Sequence, residues 1–293
     1  MTEAKKPASP LSRKATLVSV EISQWTARKY DKKITEEVNT SHGAVSDAGR
    51  YNKLLLEKKR LARINSLVTQ ARELHYKFTK PWCDAGLRIL PNKLHQEFAA
   101  AFRKIKLEFD EAADEFEVEF PAYVAERRKA LNGMFDEADY PAPSEIRSKF
   151  KLATKTLPIP EADDFRSDVL DEQTIADIKA EIAATNDEVM NGATADTVAK
   201  ITDVVKHMAE KLKTYKQGEN FFKDSLVNNV RELVELLPAF NFMNDPKLDA
   251  VITRMRKELC SEEPKALREH DDIRATVAKS ADEILADVEA LLG

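Results

Sequence analysis

Apolar residues recur at helical spacing along most of this chain, and this periodicity limits the fold more than any other feature. In Leu94–Phe120, large apolar side chains follow one another at steps of three or four residues, and Val198–Tyr215 repeats the pattern. Such steps place side chains on one face of an α-helix, where they pack against a neighbouring helix. The 7 glycines and 33% charged residues favour the same class. The chain is therefore predicted to be mainly α-helical.

The first half of the chain is predicted to contain long antiparallel helices. One helix is expected over Asp47–Phe78 and a second over Leu94–Phe120. Pro121 should end or kink the second helix, and a further turn or two is expected through Tyr123–Leu131. Helices joined by short connectors fold back on one another, so the two should lie antiparallel.

The last part of the chain is predicted to be a helical bundle with coiled-coil-like seams. Apolar stripes run through Ile175–Val189 and Val198–Tyr215. A helix end is expected between them, at Asn191–Gly192, because Gly and Asn are common where helices terminate. Three more helices are expected before the C-terminus.

Two segments have the period-two alternation that is typical of half-buried strands. Val18, Val20 and Ile22 alternate with polar residues near the N-terminus, and Lys149–Ile159 alternates before two prolines. These segments should pair as a small two-stranded antiparallel sheet, residues 16–25 with residues 149–159.

Charge is distributed unevenly along the chain. Residues 1–108 contain 22 Lys and Arg against 11 Asp and Glu, and the remaining 185 residues contain 24 against 40. We therefore predict a flexible basic tail (1–14), a basic helical region with the small sheet (15–160) and an acidic helical bundle (161–293). The two charged regions would face different partners, or each other across an assembly. Unequal charge on ordinary solvated helices is the simpler explanation.

Several classes of site and segment are not indicated by the sequence. No apolar run is long enough for a signal peptide or a membrane span, so a cytoplasmic protein is expected. Cys83 and Cys260 are expected to be free thiols. The five histidines lack metal-ligand spacing, and no phosphate-binding loop, dinucleotide motif or nucleophile motif is present. We expect no metal, cofactor or catalytic residue, and hence no enzyme.

Aromatic residues interleaved with basic ones in the first hundred positions are the most distinctive candidate site. Cations neutralise phosphates, and exposed aromatic rings stack on unpaired bases. The candidate nucleic-acid-binding residues are Arg28, Lys29, Lys32, Lys33, Arg50, Lys53, Lys58, Lys59, Arg60 and Arg63. The candidate stacking residues are Trp25, Tyr30, Tyr51 and Trp82. The alternative is that the large aromatics are core residues and the bases are solvated around them.

Four phrases of the sequence resemble a known family. They are LVSVEISQWTARKYDKK (Leu17–Lys33), DAGRYNKLLL (Asp47–Leu56), HYKFTKPWCDAGLRILP (His75–Pro91) and LPIPEADDFR (Leu157–Arg166). Together they resemble an uncharacterised family of helical proteins from tailed bacteriophages and phage-like bacterial elements. The family has no established activity. Its association with a ring-forming ATPase and a partner with a metal-ion adhesion fold implies work within a multi-protein assembly in a bacterial host cell.

These observations favour a non-catalytic phage protein. Its basic N-terminal region would bind nucleic acid, single-stranded DNA in particular, and its acidic bundle would mediate self-association or recruit a protein. The rival hypothesis is a protein–protein interaction or scaffold protein without nucleic-acid contact, which would assemble with itself, an ATPase partner or a host factor. An unrecognised hydrolase or nuclease is a third hypothesis. No membrane partner is expected.

Overall fold

The computed structural model describes residues 10–82 and 86–291 and is 68% helical, which confirms the mainly α-helical class. The chain forms two compact units. The first, the two-helix unit, comprises Ser19–Lys77 and Glu97–Lys155. The second, the bundle unit, comprises the described residues of Met1–Val18, Phe78–Gln96 and Thr156–Gly293. Each unit therefore combines segments that are distant in sequence, whereas the predicted division followed the chain.

Helices and strands are interspersed up to residue 157, and only helices follow. In chain order the elements are α1 (Pro10–Lys14), β1 (Ala15–Ser23), β2 (Arg28–Tyr30), α2 (Lys32–Ser41), β3 (Asn52–Leu54), α3 (Ala62–Phe78), β4 (Lys80–Pro81), β5 (Arg88–Pro91), α4 (His95–Leu131), α5 (Pro143–Ile146), β6 (Lys151–Leu157), α6 (Glu172–Thr214), α7 (Ser225–Phe240), α8 (Pro246–Glu258), α9 (Pro264–Glu269) and α10 (Asp271–Glu289).

Helices α3 and α4 run antiparallel in the two-helix unit, as predicted. The ring of His75, near the end of α3, lies 6.4 Å from the ring of Phe98, near the start of α4. At the other end, Arg60, just before α3, is 2.6 Å from Glu126 of α4. The predicted stripe of α4 is its buried face: its phenylalanines, among them Phe109, are at most 5% exposed.

The predicted helix over Asp47–Phe78 is wrong in its first half. Helix α3 begins only at Ala62, after β3 and a 3-10 turn over Lys58–Leu61. Residues 52–54 pair with β2 instead, and Leu55 and Leu56 are buried outside any helix. Long-range strand pairing therefore overrides the helical spacing here. Downstream, α4 continues through Pro121, which has no amide hydrogen to donate to the preceding turn.

The predicted strand pairing is present, but the sheet is larger than two strands. In the two-helix unit, the Ser23 hydroxyl donates to the carbonyl of Lys149, and the Lys151 ammonium donates to Glu21. These contacts run in opposite directions along β1 and β6, so the strands are antiparallel. In the bundle unit, the first half of β1 pairs with β5, giving the order β4-β5-β1-β6. Strands β4 and β5 lie between α3 and α4, where no strand was predicted.

The bundle unit is centred on α6, which packs against α7 and α10. Helix α6 runs unbroken for 43 residues, so the helix end predicted at Asn191–Gly192 is wrong. Gly192 does not adopt the left-handed conformation with which glycine terminates helices. Its buried stripe includes Ile201, Val205 and Met208, each 0% exposed, in one core cluster with residues of α10.

The first described residues belong to this unit. Pro10–Lys14, which was expected in the flexible tail, forms the short helix α1. Leu11 is fully buried, and the Lys14 ammonium donates a hydrogen bond of 2.8 Å to the carbonyl of Phe242. The rest of the predicted tail, residues 1–9, lies outside the described residues.

Candidate interaction surface on the two-helix unit

A two-stranded antiparallel sheet, which we call the hairpin although α2 connects its strands, gathers several of the predicted site residues. Strand β2 pairs antiparallel with β3, so that Arg28 stands opposite Leu54, Lys29 opposite Lys53, and Tyr30 opposite Asn52. Side chains alternate between the two faces of a strand. Lys29 and Lys53 therefore share one face, and the other two pairs share the opposite one.

The face that Lys29 and Lys53 share points into the unit. Lys53 anchors it there, and its side chain is only 6% exposed. Its ammonium lies 2.5 Å from Asp139 and 3.3 Å from Asp31, and it donates to the carbonyl of Met134 at 2.9 Å. Burial alone would lower the pKa of Lys53, but its hydrogen bonds to Asp139 and Asp31 outweigh that effect and raise it. This ammonium is occupied inside the protein, which contradicts its predicted role as a nucleic-acid contact.

Further hydrogen bonds attach the hairpin to the rest of the two-helix unit. Arg127 of α4 donates to the carbonyl of Leu54 at 2.7 Å, and the Tyr140 hydroxyl donates to the carbonyl of Leu55 at 2.8 Å. Asp31 caps α2 by accepting the amide of Ile34, which, together with Lys53, holds the pKa of Asp31 below its ordinary value. The hairpin is thus anchored to its own unit through one side.

The other side is open, and we call it the hairpin face. It consists of Arg28, Tyr30, Arg50, Asn52 and Leu54, all of them exposed. Tyr30 is 46% exposed and Leu54 37%, and the Arg50 guanidinium carbon lies 5.7 Å from the centroid of the Tyr30 ring. The face contains no acidic residue. Within the described part of the chain, no carboxylate lies within 4.0 Å of Arg28 or Arg50.

The remaining bases near the hairpin differ in their pairing. Lys29 is 3.8 Å from Asp139, and Lys32 is 3.6 Å from Glu36 in α2. Lys33 is exposed, with no carboxylate within 4.0 Å among residues 10–82 and 86–291.

The bases before and within α3 are largely neutralised. Arg60 pairs with Glu126 and lies 4.3 Å from the Tyr123 ring, and Arg63 pairs with Glu115. In the preceding turn Lys59 is 2.7 Å from Glu57. Lys58 is exposed and has no carboxylate within 4.0 Å in the described ranges.

These pairings remove most of the basic character expected of the N-terminal region. Six of the ten predicted binding residues have a carboxylate within 4.0 Å. The two-helix unit contains 22 basic and 20 acidic residues, because it includes the acidic second half of α4. The basic groups that remain available to a ligand are therefore confined to small areas. On the hairpin face they lie beside the exposed ring of Tyr30.

The four predicted stacking residues have different environments. Trp25 is half-buried against aromatic rings, 5.5 Å from Phe120 and 6.5 Å from Phe116, as expected of a packing residue. Tyr30 is on the hairpin face. Tyr51 is 39% exposed, but it lies between Arg50 and Asn52 in the sequence and so falls on the opposite side from the hairpin face. Trp82 is half-buried in the bundle unit.

A groove of about 370 Å³ also opens on this unit, between α4 and the segment before α5. Phe120, Val124 and Tyr140 form much of its wall. Arg128 and Glu137 line it as well and pair with each other at 3.1 Å. Its two charged groups thus neutralise each other, whereas the two arginines of the hairpin face lack carboxylate partners.

Residues 10–82 and 86–291 contain no cluster of three or more metal-ligating side chains. None of the helices described is both long and apolar enough to cross a membrane. Cys260 is a free, half-buried thiol whose pKa is raised by burial. Cys83 lies outside the described residues.

Comparison with known proteins does not add to this description. The chain matches no family model, and no curated protein or solved structure is significantly similar to it. The resemblance to a phage-encoded family therefore stays a prediction.

Proposed function

We propose that this chain is a non-catalytic interaction protein that binds an acidic segment of a protein on its hairpin face. The observation that carries the proposal is the composition of that face. Two arginines without carboxylate partners flank an exposed tyrosine, and no acidic residue is present. Tyr and Arg are the side chains that most often dominate binding energy in protein interfaces.

The small number of basic side chains without carboxylate partners favours a short acidic segment as the ligand over a long polyanion. A nucleic-acid strand presents a phosphate at every nucleotide, and affinity grows with the number of phosphates neutralised. Arg60 and Arg63, which would extend a phosphate track along α3, are already paired with α4. The two guanidinium groups of the hairpin face suit two carboxylates.

The hairpin also offers backbone groups to an extended partner. Strands β2 and β3 form a sheet of only two strands, and no third strand among residues 10–82 and 86–291 pairs with either of them. The Leu54 carbonyl of β3 already accepts from Arg127, so the edge of β2 is the more open one. An extended segment can bind by adding a strand to such an edge, with its side chains on the neighbouring face. Backbone hydrogen bonds would then add affinity, and Arg28, Tyr30 and Arg50 would select the sequence.

Single-stranded nucleic acid is the second candidate ligand. The stacked arrangement of Arg50 and Tyr30 supports it, because an exposed ring beside a guanidinium can hold one base and its phosphate.

Fluorescence anisotropy with two probes tests the proposal. One probe is a labelled peptide in which Asp and Glu alternate with Val and Leu, and the other is oligo(dT). We expect the peptide to bind at low salt. The double variant Arg28→Glu/Arg50→Glu should weaken peptide binding at least about tenfold, since it replaces attraction with repulsion at both ends of the face.

The matched control is Lys58→Glu/Lys129→Glu, which makes the same change in net charge at exposed positions outside the hairpin face. It should leave peptide binding within about twofold of the wild type, apart from long-range steering. Equal losses in both variants, or no peptide binding, would refute the proposal. Binding of oligo(dT) that is lost only in the hairpin-face variant would establish the second candidate instead.

A further inference from the structure

An exposed acidic segment in the bundle unit has the properties required of a ligand for the hairpin face. We call Glu161–Glu172, which leads into α6, the acidic loop. It contains six carboxylates against the single guanidinium of Arg166. Val169 is 91% exposed and Leu170 40%, which makes Val169 the most exposed of the large apolar residues described. Exposed apolar residues inside an acidic segment are typical of a binding sequence.

Local hydrogen bonds hold these apolar residues in place. The Ser167 hydroxyl oxygen accepts the amides of Val169 and Leu170, at 3.2 and 3.3 Å. Asp171 then caps α6 by accepting the amide of Thr174 at 2.9 Å. No basic side chain in the described ranges lies within 4.0 Å of the loop's carboxylates. The loop therefore presents its apolar residues and most of its charges to solvent, whereas both carboxylate oxygens of Asp171 also accept hydrogen bonds from Thr174.

The order of chemical groups is the same on the two surfaces. Along the hairpin, Arg28 and Leu54 stand at one end, Tyr30 in the middle, and Arg50 at the other end. The acidic loop has Asp168, then Val169 and Leu170, then Asp171. On the hairpin face Tyr30 lies between two positive charges, and on the acidic loop Val169 and Leu170 lie between two negative charges.

The spacing of the charges also agrees. Leu54, which stands opposite Arg28, is four positions from Arg50, and Arg50 precedes β3; this is about 13 Å at about 3.3 Å per residue if the chain stays extended to Arg50. Asp168 and Asp171 are three positions apart, or about 10 Å once the Ser167 hydrogen bonds to Val169 and Leu170 open and the segment extends. Arginine side chains are long enough to absorb the difference, so both ion pairs can form at once.

We propose that the acidic loop of one copy of this chain binds the hairpin face of a second copy. The inference rests on the proposed function and identifies a partner for it. Because the two surfaces are different, the contact is heterologous, and each copy keeps one free surface of each kind. Association should therefore continue beyond the dimer as concentration rises, and it should weaken with salt.

Two variants, each of which lacks one of the two surfaces, test this arrangement. The face variant, Arg28→Glu/Arg50→Glu, lacks the receptor, and the loop variant, Val169→Ser/Leu170→Ser, lacks the apolar part of the ligand. Sedimentation velocity over a wide range of concentration should show the wild type growing in mass and each variant alone remaining monomeric. An equal mixture of the two variants should form dimers only, because one intact face and one intact loop allow a single contact.

This complementation separates a lost contact from a global loss of fold, since a globally misfolded variant could not restore association. A wild type that stays monomeric at low salt, or a loop variant that associates as the wild type does, would overturn the inference. If the designed acidic peptide still binds the hairpin face in that case, only self-association is wrong. If the peptide also fails to bind, the proposed function is wrong as well.

Discussion

The ammonium group of Lys53 lies 2.5 Å from the carboxylate of Asp139, 86 positions further along the chain, and Lys29 stands opposite Lys53 in the hairpin. Pairing with Asp139 draws one face of the hairpin into the two-helix unit. Because side chains alternate along a strand, the same contact turns Arg28 and Tyr30 towards solvent. A buried ion pair thus determines which residues form the exposed hairpin face.

Replacing Lys53 with Met should destabilise the two-helix unit by about 3 kcal/mol, because Asp31 and Asp139 would be left with an uncompensated buried charge. The free energy of unfolding in urea measures the change. Lys58→Met is the control: Lys58 is exposed and has no carboxylate within 4.0 Å in the described structure, so its loss should change stability by less than about 0.5 kcal/mol. Similar values for the two variants would show that the Lys53 network contributes little.

The same network should give stability a defined dependence on pH. The pKa of Asp31 is lowered in the fold, so its contribution is present above its unfolded pKa of about 3.9 and is lost as pH falls through the folded value. The pKa of Lys53 is raised, so its contribution is present below about 10.4 and is lost as pH rises through its folded value. The stability difference between wild type and Lys53→Met should therefore be constant near neutral pH and shrink at both extremes. A maximum at either extreme would contradict this assignment.

Lys80, in the bundle unit, should contribute little to the free energy of unfolding, in contrast to Lys53. Its side chain is 2% exposed, but its partner Asp196 is 48% exposed. Burial lowers the pKa of Lys80, and the Asp196 carboxylate offsets that only in part. Removing Lys80 leaves a carboxylate that water can solvate, and Met keeps the contact with Phe240. Lys80→Met should therefore change the free energy of unfolding by no more than about 1 kcal/mol. A loss as large as that expected for Lys53→Met would show that the Lys80 ion pair is strongly stabilising.

Periodicity predicted the elements whose packing is local and regular. The α4 stripe and the β1–β6 pairing follow from side-chain spacing, because one buried face determines each of them. The segment 47–61 could not be predicted this way. Leu54 and Leu61 have helical spacing, yet Leu54 pairs with Arg28 and is exposed. The energy that decides between helix and strand there comes from distant residues.

The residues of the hairpin face could be predicted only in part, for the same reason. Composition identified Arg28, Tyr30 and Arg50, but it could not distinguish them from Lys53 or Arg60, whose partners Asp139 and Glu126 lie more than sixty positions away. Leu54 was assigned to a helix stripe and was missed as a surface residue. The alternation of Arg50, Asn52 and Leu54 is the one signal that could have placed it, and it is too short to be recognised alone.

Gly192 offers a separate test of α6, where a helix end had been predicted. A Cβ atom at this position would meet nothing within 4 Å, and the residue is exposed in the middle of the helix. Gly192→Ala should therefore stabilise the bundle unit by about 0.5 to 1 kcal/mol through helix propensity. Thermal unfolding followed by circular dichroism measures this, with Gly218→Ala as the control. Gly218 has a φ of 85°, so alanine should destabilise the chain there.

The pairing of α3 with α4 gives the last prediction. Arg60→Glu/Arg63→Glu would place new carboxylates beside Glu126 and Glu115 and would remove the Arg60 contact with the Tyr123 ring.

Exposed ion pairs contribute up to about 1 kcal/mol each, and charge reversal adds repulsion of similar size, so we expect a loss of about 2 kcal/mol. Lys58→Glu/Lys59→Glu makes the same net change one turn earlier and removes only the exposed pair with Glu57, so it should cost less than about 1 kcal/mol. Because the larger loss arises from nearby charges, added salt should reduce it. If the two double variants unfold at the same temperature at low salt, α4 does not neutralise these bases, and Arg60 and Arg63 are again available to a polyanion.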